Sequence, residues 1–387
     1  MHTCGGMRTH QLGFGMLLLS LLAPGCGDAE PEEVTASELR VGTFNSGLAL
    51  HYEDWVTERE PVVAAALASE AANLDVLCVQ EYWLGDHWQN LVATVAAELP
   101  HAVRRPPNPG DEPKCTAAEA GPLLDCVKVE CSTASGSELL GCALDKCSAE
   151  TNSLSGGCAD CLIQNIAKPV DELYAACVDP SAGGGDTALY GGEHDPGLLL
   201  RTEPLETDSL ALSAYFVRAA VLYAKLPRPS GEPVHVFCTH FGSELDGIGY
   251  QGPHGSWEGE HAQQVAELLA YIQAKAPSGP VLVLGDLNTG PEQAGLSGEW
   301  PAHFTPLLES GLECPALQAE VPPCTLCPDN SFRSDTSSPR LIDHVLVRGL
   351  GARDIAVFAN TPATVSVEGK PQSMSLSDHY GLRARVR

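Results

Sequence analysis

The stretch Val281-Leu282-Val283-Leu284-Gly285-Asp286-Leu287-Asn288 constrains this chain more than any other. Its opening apolar run reads as a strand buried on both faces, as in the sheets of α/β proteins. The run stops at Gly285, and an acid and an amide follow at alternate positions. Residues i and i+2 of an extended chain point to one side, so Asp286 and Asn288 can face a single pocket. That pocket would lie beyond a strand's carboxyl end, where open α/β sheets tend to bind ligands. Asp and Asn are also ordinary turn residues, so the stretch needs company before it reads as a site.

The company is found along the chain. Leu39 to Asn45 reads as a first strand ending in an amide. Glu58 to Ala72 reads as a helix with Pro61 in its first turn, and Asp75 to Glu81 as a second buried strand ending in a carboxylate. Strand, helix and strand of these lengths suggest a βαβ-type unit, and Trp88 to Leu99 suggests a second helix. Gly197 to Leu200, Tyr215 to Leu226 and Val234 to His240 read as further strands. Glu260 to Lys275 is an amphipathic helix with Val265, Leu268, Leu269 and Ile272 on one face. Two strands close the chain, Leu341 to Val347 carrying Asp343, and Leu382 to Val386 preceded by Ser377-Asp378-His379. Most of the well-defined apolar strands therefore have an Asp, Glu, Asn or His at one end: Asn45, Glu81, His240, Asp286, Asn288, Asp343, Asp378 and His379.

Residues 110–186 break the pattern, with eight cysteines, Cys115, Cys126, Cys131, Cys142, Cys147, Cys158, Cys161 and Cys177, several of them 16 residues apart. Ser-rich spacers and few large apolar residues suggest a small insert, built of helical hairpins and stapled by disulfides. Zinc is the rival for so many thiols, helped by the Cys158/Cys161 spacing. Disulfides are preferred because the N-terminus reads as an export signal. Arg8 and His10 precede an apolar run from Gly13 to Leu22, too short to span a bilayer. Ala23-Pro24-Gly25-Cys26 resembles a bacterial lipoprotein processing site. Residues 1–26 are thus a signal peptide ending at a lipoprotein-like Cys26, and 27–38 a linker, in a chain expected in the cell envelope or secreted. Cys78 and Cys238, inside apolar runs, are expected to be buried free thiols.

Charge narrows the partners. The 387 residues carry 22 Lys+Arg against 50 Asp+Glu, a net charge of -28. Such a surface repels polyanions at long range, and no basic footprint for nucleic acid stands out beyond Arg104-Arg105. Divalent cations can still neutralise an acidic site locally. Mean hydropathy is -0.04, which argues against a polytopic membrane protein.

Taken together, Thr43-Phe44-Asn45, Gln80-Glu81, Thr239-His240, Gly285-Asp286-Leu287-Asn288, Ile342-Asp343-His344 and Ser377-Asp378-His379 resemble the endonuclease/exonuclease/phosphatase family of metal-dependent phosphoesterases. The resemblance covers roughly residues 39–109 and 187–387 and misses the Cys-rich insert. It implies an α/β (α+β) fold, a four-layer sandwich of two β-sheets flanked by helices, as one domain over 39–387 interrupted at 110–186. It implies a divalent cation, Mg²⁺ or another such as Mn²⁺ or Ca²⁺, bound by Glu81 with Asn45 beside it and Asp378 near. Asp286 would orient or deprotonate the attacking water, and Asn288 would hold a phosphoryl oxygen. His379 would act as base or electrostatic stabiliser, oriented by Asp343, and His240 would protonate the leaving alkoxide. Arg218 matches a recurrent arginine that either touches the phosphate or forms a structural ion pair. His344 is left without chemistry.

Gln80-Glu81-Tyr82-Trp83 and the long segment before Leu376-Ser377-Asp378-His379 look like sphingomyelinase members. With the acidic, exported and lipid-anchored character, they favour a phospholipid phosphodiester over nucleic acid, with no protein partner expected. A secreted DNase I-like endonuclease is the alternative. A non-catalytic binding protein that uses the insert is the alternative from another class. Lying between the Glu81 strand and those that follow, the insert is expected near the rim of the site.

Overall fold

The computed structural model describes residues 38–108, 114–179, 188–229, 231–245, 249–333 and 337–387. The predicted signal peptide, its lipoprotein-like Cys26 and nearly all of the linker fall outside these residues, as do the two predicted limits of the insert.

Two sheets face each other. The first has the order β10-β13-β1-β2-β4-β3 and the second β5-β6-β7-β8-β9. In chain order the strands of the first are β1 (Leu39–Asn45), β2 (Val76–Gln80), β3 (His101–Arg104), β4 (Gly197–Leu200), β10 (Ala352–Phe358) and β13 (Gly381–Val386). Those of the second are β5 (Glu206–Ala211), β6 (Ala220–Leu226), β7 (Val234–His240), β8 (Val281–Asp286) and β9 (Asp343–Arg348). A separate hairpin joins β11 (Ala363–Val367) to β12 (Lys370–Met374). The parallel pairs are β1 with β2 and β7 with β8. The helix between β1 and β2 is α1 (Val56–Ala71), which completes the expected βαβ unit.

Strand periodicity decides what faces what. On β2, Val76 and Cys78 enter the core between the sheets, while Leu77 and Val79 pack outward. Leu67 of α1 and Leu91 of α2 (Gly85–Val95) cover that outer face. On the far side α8 (Trp257–Lys275) places Val265, Leu268 and Ile272 against the second sheet, and α9 (Pro301–Glu309) adds Phe304 and Leu307. The order of layers is helix, sheet, sheet, helix, as the family resemblance implies.

Two expectations are corrected. Cys78 and Cys238 are not free thiols; they form a disulfide that ties β2 to β7 across the core, with Cα atoms 5.6 Å apart. Both side chains lie on inner faces of opposed sheets, and an apolar neighbourhood in sequence does not distinguish a buried thiol from a buried half-cystine. The strand expected from Tyr215 begins only at Ala220. Tyr215 and Phe216 are aromatic for another reason, since they pack toward the insert. The strands β3, β5, β10, β11 and β12 escaped notice because they are short or largely exposed; β5, Glu-Thr-Asp-Ser-Leu-Ala, has no fully buried residue.

The insert is helical, as expected: α3 (Ala117–Glu130), α4 (Ser137–Lys146), α5 (Ser148–Thr151), α6 (Gly156–Gln164) and α7 (Val170–Val178). Its eight cysteines pair as Cys115–Cys158, Cys126–Cys147, Cys131–Cys142 and Cys161–Cys177, which leaves no thiolates there for zinc. The second and third bonds staple α3 to α4 at two points. Cys324 and Cys327 pair as well, and Cys314 is a buried free thiol. No helix among the described residues is long and apolar enough to cross a membrane.

Candidate active site

Every predicted site residue arrives at one end of the sandwich. The register of the second sheet aligns His240 with Asp286 and Asp286 with Asp343, so three neighbouring strands contribute one row. Asn45 closes the gap from the opposite sheet: its amide donates to Asp286 Oδ2 at 3.0 Å and to Glu81 Oε1 at 3.1 Å. Asp286 is held twice, since its Oδ1 accepts from the Asn288 backbone N–H at 2.9 Å. Three residues leave ordinary backbone space as β1, β2 and β8 end. Glu81 has φ 62°, Asn288 φ 43° and Gly47 φ 55°. At Gly47 a Cβ would lie 2.9 Å from Asp378 Oδ1, so only glycine lets that loop approach.

Two histidines flank Asp286, each with Nδ1 on a carboxylate. His379 Nδ1 is 2.8 Å from Asp343 Oδ2, and His240 Nδ1 is 2.8 Å from Asp195 Oδ2. These bonds fix the rings and leave Nε2 for other work. His240 Nε2 is 3.6 Å from Asp286 Oδ2 and 3.3 Å from the Asn288 amide. His379 Nε2 is 3.6 Å from Asp378 Oδ2.

Burial lowers the pKa of His240, but the Asp195 hydrogen bond and the charges of Asp286, Asp195 and Glu81 outweigh it, and the ring is raised to about 9. His379 is also raised well above an ordinary imidazole, with Asp343, Asp378 and Asp286 overcoming burial. The carboxyls of Glu81 and Asp286 are pushed up, first by burial and then by neighbouring charge, from Asp378 on Glu81 and from Asp343 on Asp286.

Two residues were missed. Asp195 is 1% exposed and joins the halves of the site, since its Oδ1 accepts the Glu81 backbone N–H at 2.8 Å while Oδ2 holds His240. It precedes β4, which runs antiparallel to β2, so the beginning of that strand meets the end of β2. A search of strand ends for polar residues passes over it; an acid just ahead of the apolar run Gly197 to Leu200 was the available signal. Glu53, in the β1–α1 loop, is raised to about 8 by burial and by Asp378 and Glu81. Its loop, Gly47 to Asp54, shows no periodic signal. Arg218 lies 3.8 Å from Asp160 of the insert, the structural ion pair of the two expected options.

The floor opens into a cleft of about 580 Å³ lined by Asn45, Glu81, His240, Asp286, Asn288, Asp378 and His379. One wall is aromatic, with Tyr52, Trp83, Tyr190, Phe216 and Trp257; another carries Arg333 and Arg340. Trp83 stacks on Tyr190 at 5.2 Å and sits 6.4 Å from the His240 ring. Trp83, Tyr190, Phe216 and Trp257 belong to the same apolar cluster as Leu162, Ile166 and Leu173 of the insert. The insert therefore backs this wall.

The donors fit a hard divalent cation. Glu81 and Asp378 offer only oxygen ligands, the kind that Mg²⁺, Mn²⁺ and Ca²⁺ prefer, while Asn45 beside them turns its N–H groups to Glu81 and Asp286 and its oxygen to the Gly47 N–H. Burial raises the carboxyls of Glu81 and Glu53, Asp378 raises both further, and a cation bound among them would favour their charged forms. Asp286, Asp343 and His379 also bring three donor atoms within 4.8 Å of one another. That closeness is accounted for by the His379–Asp343 hydrogen bond.

The profile of the family described as "Endonuclease/Exonuclease/phosphatase family" matches residues 43–379. Sphingomyelinase C from Streptomyces griseocarneus shares the fold at 20% identity and TM-score 0.51, covering 90% of this chain and 99% of its own. A mutant beta toxin from Staphylococcus aureus with bound magnesium ions matches at 15% identity and TM-score 0.54, over 90% and 99% of the two chains. D. rerio TDP2 complexed with a single-strand DNA product matches at 14% identity and TM-score 0.50, over 91% and 99%. No curated protein sequence matches at a significant level.

Proposed function

The chain belongs to the endonuclease/exonuclease/phosphatase family of phosphoesterase hydrolases, and from that premise we propose that it cleaves a phospholipid phosphodiester, as a sphingomyelinase or phospholipase C does. The observation that carries the lipid reading is the aromatic wall beside His240. An apolar alcohol half of a substrate can lie against Trp83, Tyr190, Phe216 and Trp257 while its phosphate reaches the acidic floor. A net charge of -28 suits a zwitterionic headgroup better than DNA.

The chemistry follows from the donor geometry. Glu81 and Asp378, with Asn45 beside them, would hold a divalent cation, Mg²⁺ first among the candidates, and bound there it would supply charge neutralisation for the phosphoryl oxygens. Asp286, oriented by Asn45 and by its own loop, takes a proton from the attacking water. Asn288 faces the same floor, where holding a phosphoryl oxygen would take an N–H from its present partners, the Phe241 carbonyl and His240 Nε2. His379, held by Asp343, stabilises the charge that builds there. His240, held by Asp195, presents Nε2 to the leaving alkoxide and protonates it. The same reading takes the chain as exported and anchored through Cys26. Palmitate labelling of the wild type that is lost in Cys26→Ser supports the anchor, and labelling that survives removes it.

Phosphocholine release from sphingomyelin vesicles, measured beside nicking of supercoiled plasmid, tests the function. Both are run with Mg²⁺, with chelator, and with Glu81→Ala and His379→Ala. Vesicle turnover that needs Mg²⁺ and both side chains is the expected result. Plasmid nicking with intact vesicles would replace the lipid reading with the nuclease one. Activity that survives both substitutions would remove the proposed site.

A further inference from the structure

Two histidines outside this chemistry grip the main chain on either side of Asn288. His261 Nε2 lies 2.8 Å from the Leu287 carbonyl oxygen, and His344 Nε2 lies 2.8 Å from the Thr289 carbonyl oxygen. A carbonyl only accepts, so each Nε2 carries a proton and donates. The other ring nitrogens agree with that assignment. His344 Nδ1 faces the Cys314 thiol at 3.8 Å, and His261 Nδ1 is 2.9 Å from His303 Nδ1, which then donates.

Both rings are fully or nearly fully buried. Burial pushes each down to about 4, so both remain neutral donors through the neutral range. His344 stacks on Phe304 at 4.8 Å, and His261 stacks on His303 at 4.9 Å and meets Trp300 edge-on at 4.7 Å. Neither ring is free to swing away from its carbonyl.

The clamp comes from two elements. His261 is on α8. His344 follows Asp343 on β9, and adjacent strand residues point to opposite faces, so Asp343 enters the site while His344 turns to the loop behind it. Asn288 sits between the two gripped carbonyls in a left-handed conformation, φ 43°. A single such residue is strained and persists where its surroundings over-determine it. Its amide donates to the Phe241 carbonyl at 2.8 Å and faces His240 Nε2.

We propose that His261 and His344 are positioning residues that hold the Leu287–Thr289 backbone so that the Asn288 side chain stays beside His240, within reach of the phosphoryl oxygen. The proposal rests on the reading of Asn288 as a phosphate-holding group. Neither histidine touches substrate.

The test uses the Mg²⁺-supplemented full chain with bis-p-nitrophenyl phosphate, so it does not depend on the lipid reading. His344→Phe keeps a ring against Phe304 and removes the donor; His344→Gln keeps a donor. The Phe variant is expected to lose about 10–100-fold in kcat with KM little changed, and the Gln variant to recover most of it. Hydrogen exchange at residues 287–290 should quicken in the Phe variant and not in the Gln variant. His261→Phe and His261→Gln repeat the comparison from the helix side should the strand variants fail to fold. Equal losses in Phe and Gln variants, or a Phe variant with a lower melting temperature but wild-type kcat per folded molecule, would overturn the clamp. Asn288→Ala separates the two layers. If it keeps full kcat, the role given to Asn288 falls; if it is slow while the Phe variants are fast, the clamp alone falls.

Discussion

The sandwich and the insert are held together by different forces. In the sandwich, strands such as β2 and β8 are buried along their whole length, and long-range burial carries the structure. One disulfide, Cys78–Cys238, crosses that core. The insert is a set of short helices, of which the longest has 14 residues, and it carries four disulfides between Cys115 and Cys177. Helices this short are marginal alone in water. The difference separates two jobs. The candidate site sits where main-chain register fixes side chains to within a hydrogen bond, and a stapled body backs the aromatic wall beside it.

The largest break in this comparison comes from reduction. Dithiothreitol followed by alkylation should unfold the insert while the sandwich persists, with limited proteolysis cutting first within 114–179. Each insert disulfide contributes about 2–4 kcal/mol, more than the short helices can replace. Cuts that fall first in the sandwich would erase the distinction. Next is Glu81→Ala, which should lower turnover of bis-p-nitrophenyl phosphate by about 10³-fold with the circular dichroism and melting curve nearly unchanged. A large fall in melting temperature would instead make Glu81 structural. Cys78→Ala with Cys238→Ala should cost about 3 kcal/mol in urea unfolding and leave kcat within about twofold, since the bond serves the core; loss of activity without loss of stability would contradict that.

The smallest effect expected is on pH. His240 is raised to about 9, so its protonated form is the one the fold favours. That stabilisation is complete below the unfolded value near 6.5 and is lost as pH rises through about 9. Activity that needs His240 as an acid should fall along the same limb. Asp195→Asn removes the carboxylate on Nδ1, and the alkaline limb should move down by about one pH unit, which lowers activity at pH 8 by about twofold. A limb that stays in place would show that another group controls it.

Much of the sandwich was legible because strand burial writes itself into local sequence. Val281 to Leu284, Val76 to Val79 and Leu198 to Leu200 are runs of apolar residues that fit few other environments. The eight predicted site residues were legible for the same reason, as polar residues terminating or preceding such runs. Trp83 was visible only through the resemblance. The aromatic run beginning at Tyr215 misled because an aromatic residue serves a cleft wall as readily as a strand.

What the sequence determined by itself was local: which segments alternate, where each strand stops, and which side chain stands at the stop. What only the tertiary structure decided was pairing. Cys78 found Cys238 across 160 residues, Asp195 reached His240 because β4 runs back along β2, and Asn45 met Asp286 from the opposite sheet, 241 positions away. These contacts depend on sheet order and strand direction, which are set by burial of whole faces against one another. In Val281–Asn288 both kinds of information meet. Its residues announce a buried strand with an acid and an amide at the tip, and the packing of two sheets turns that tip into the floor of a site.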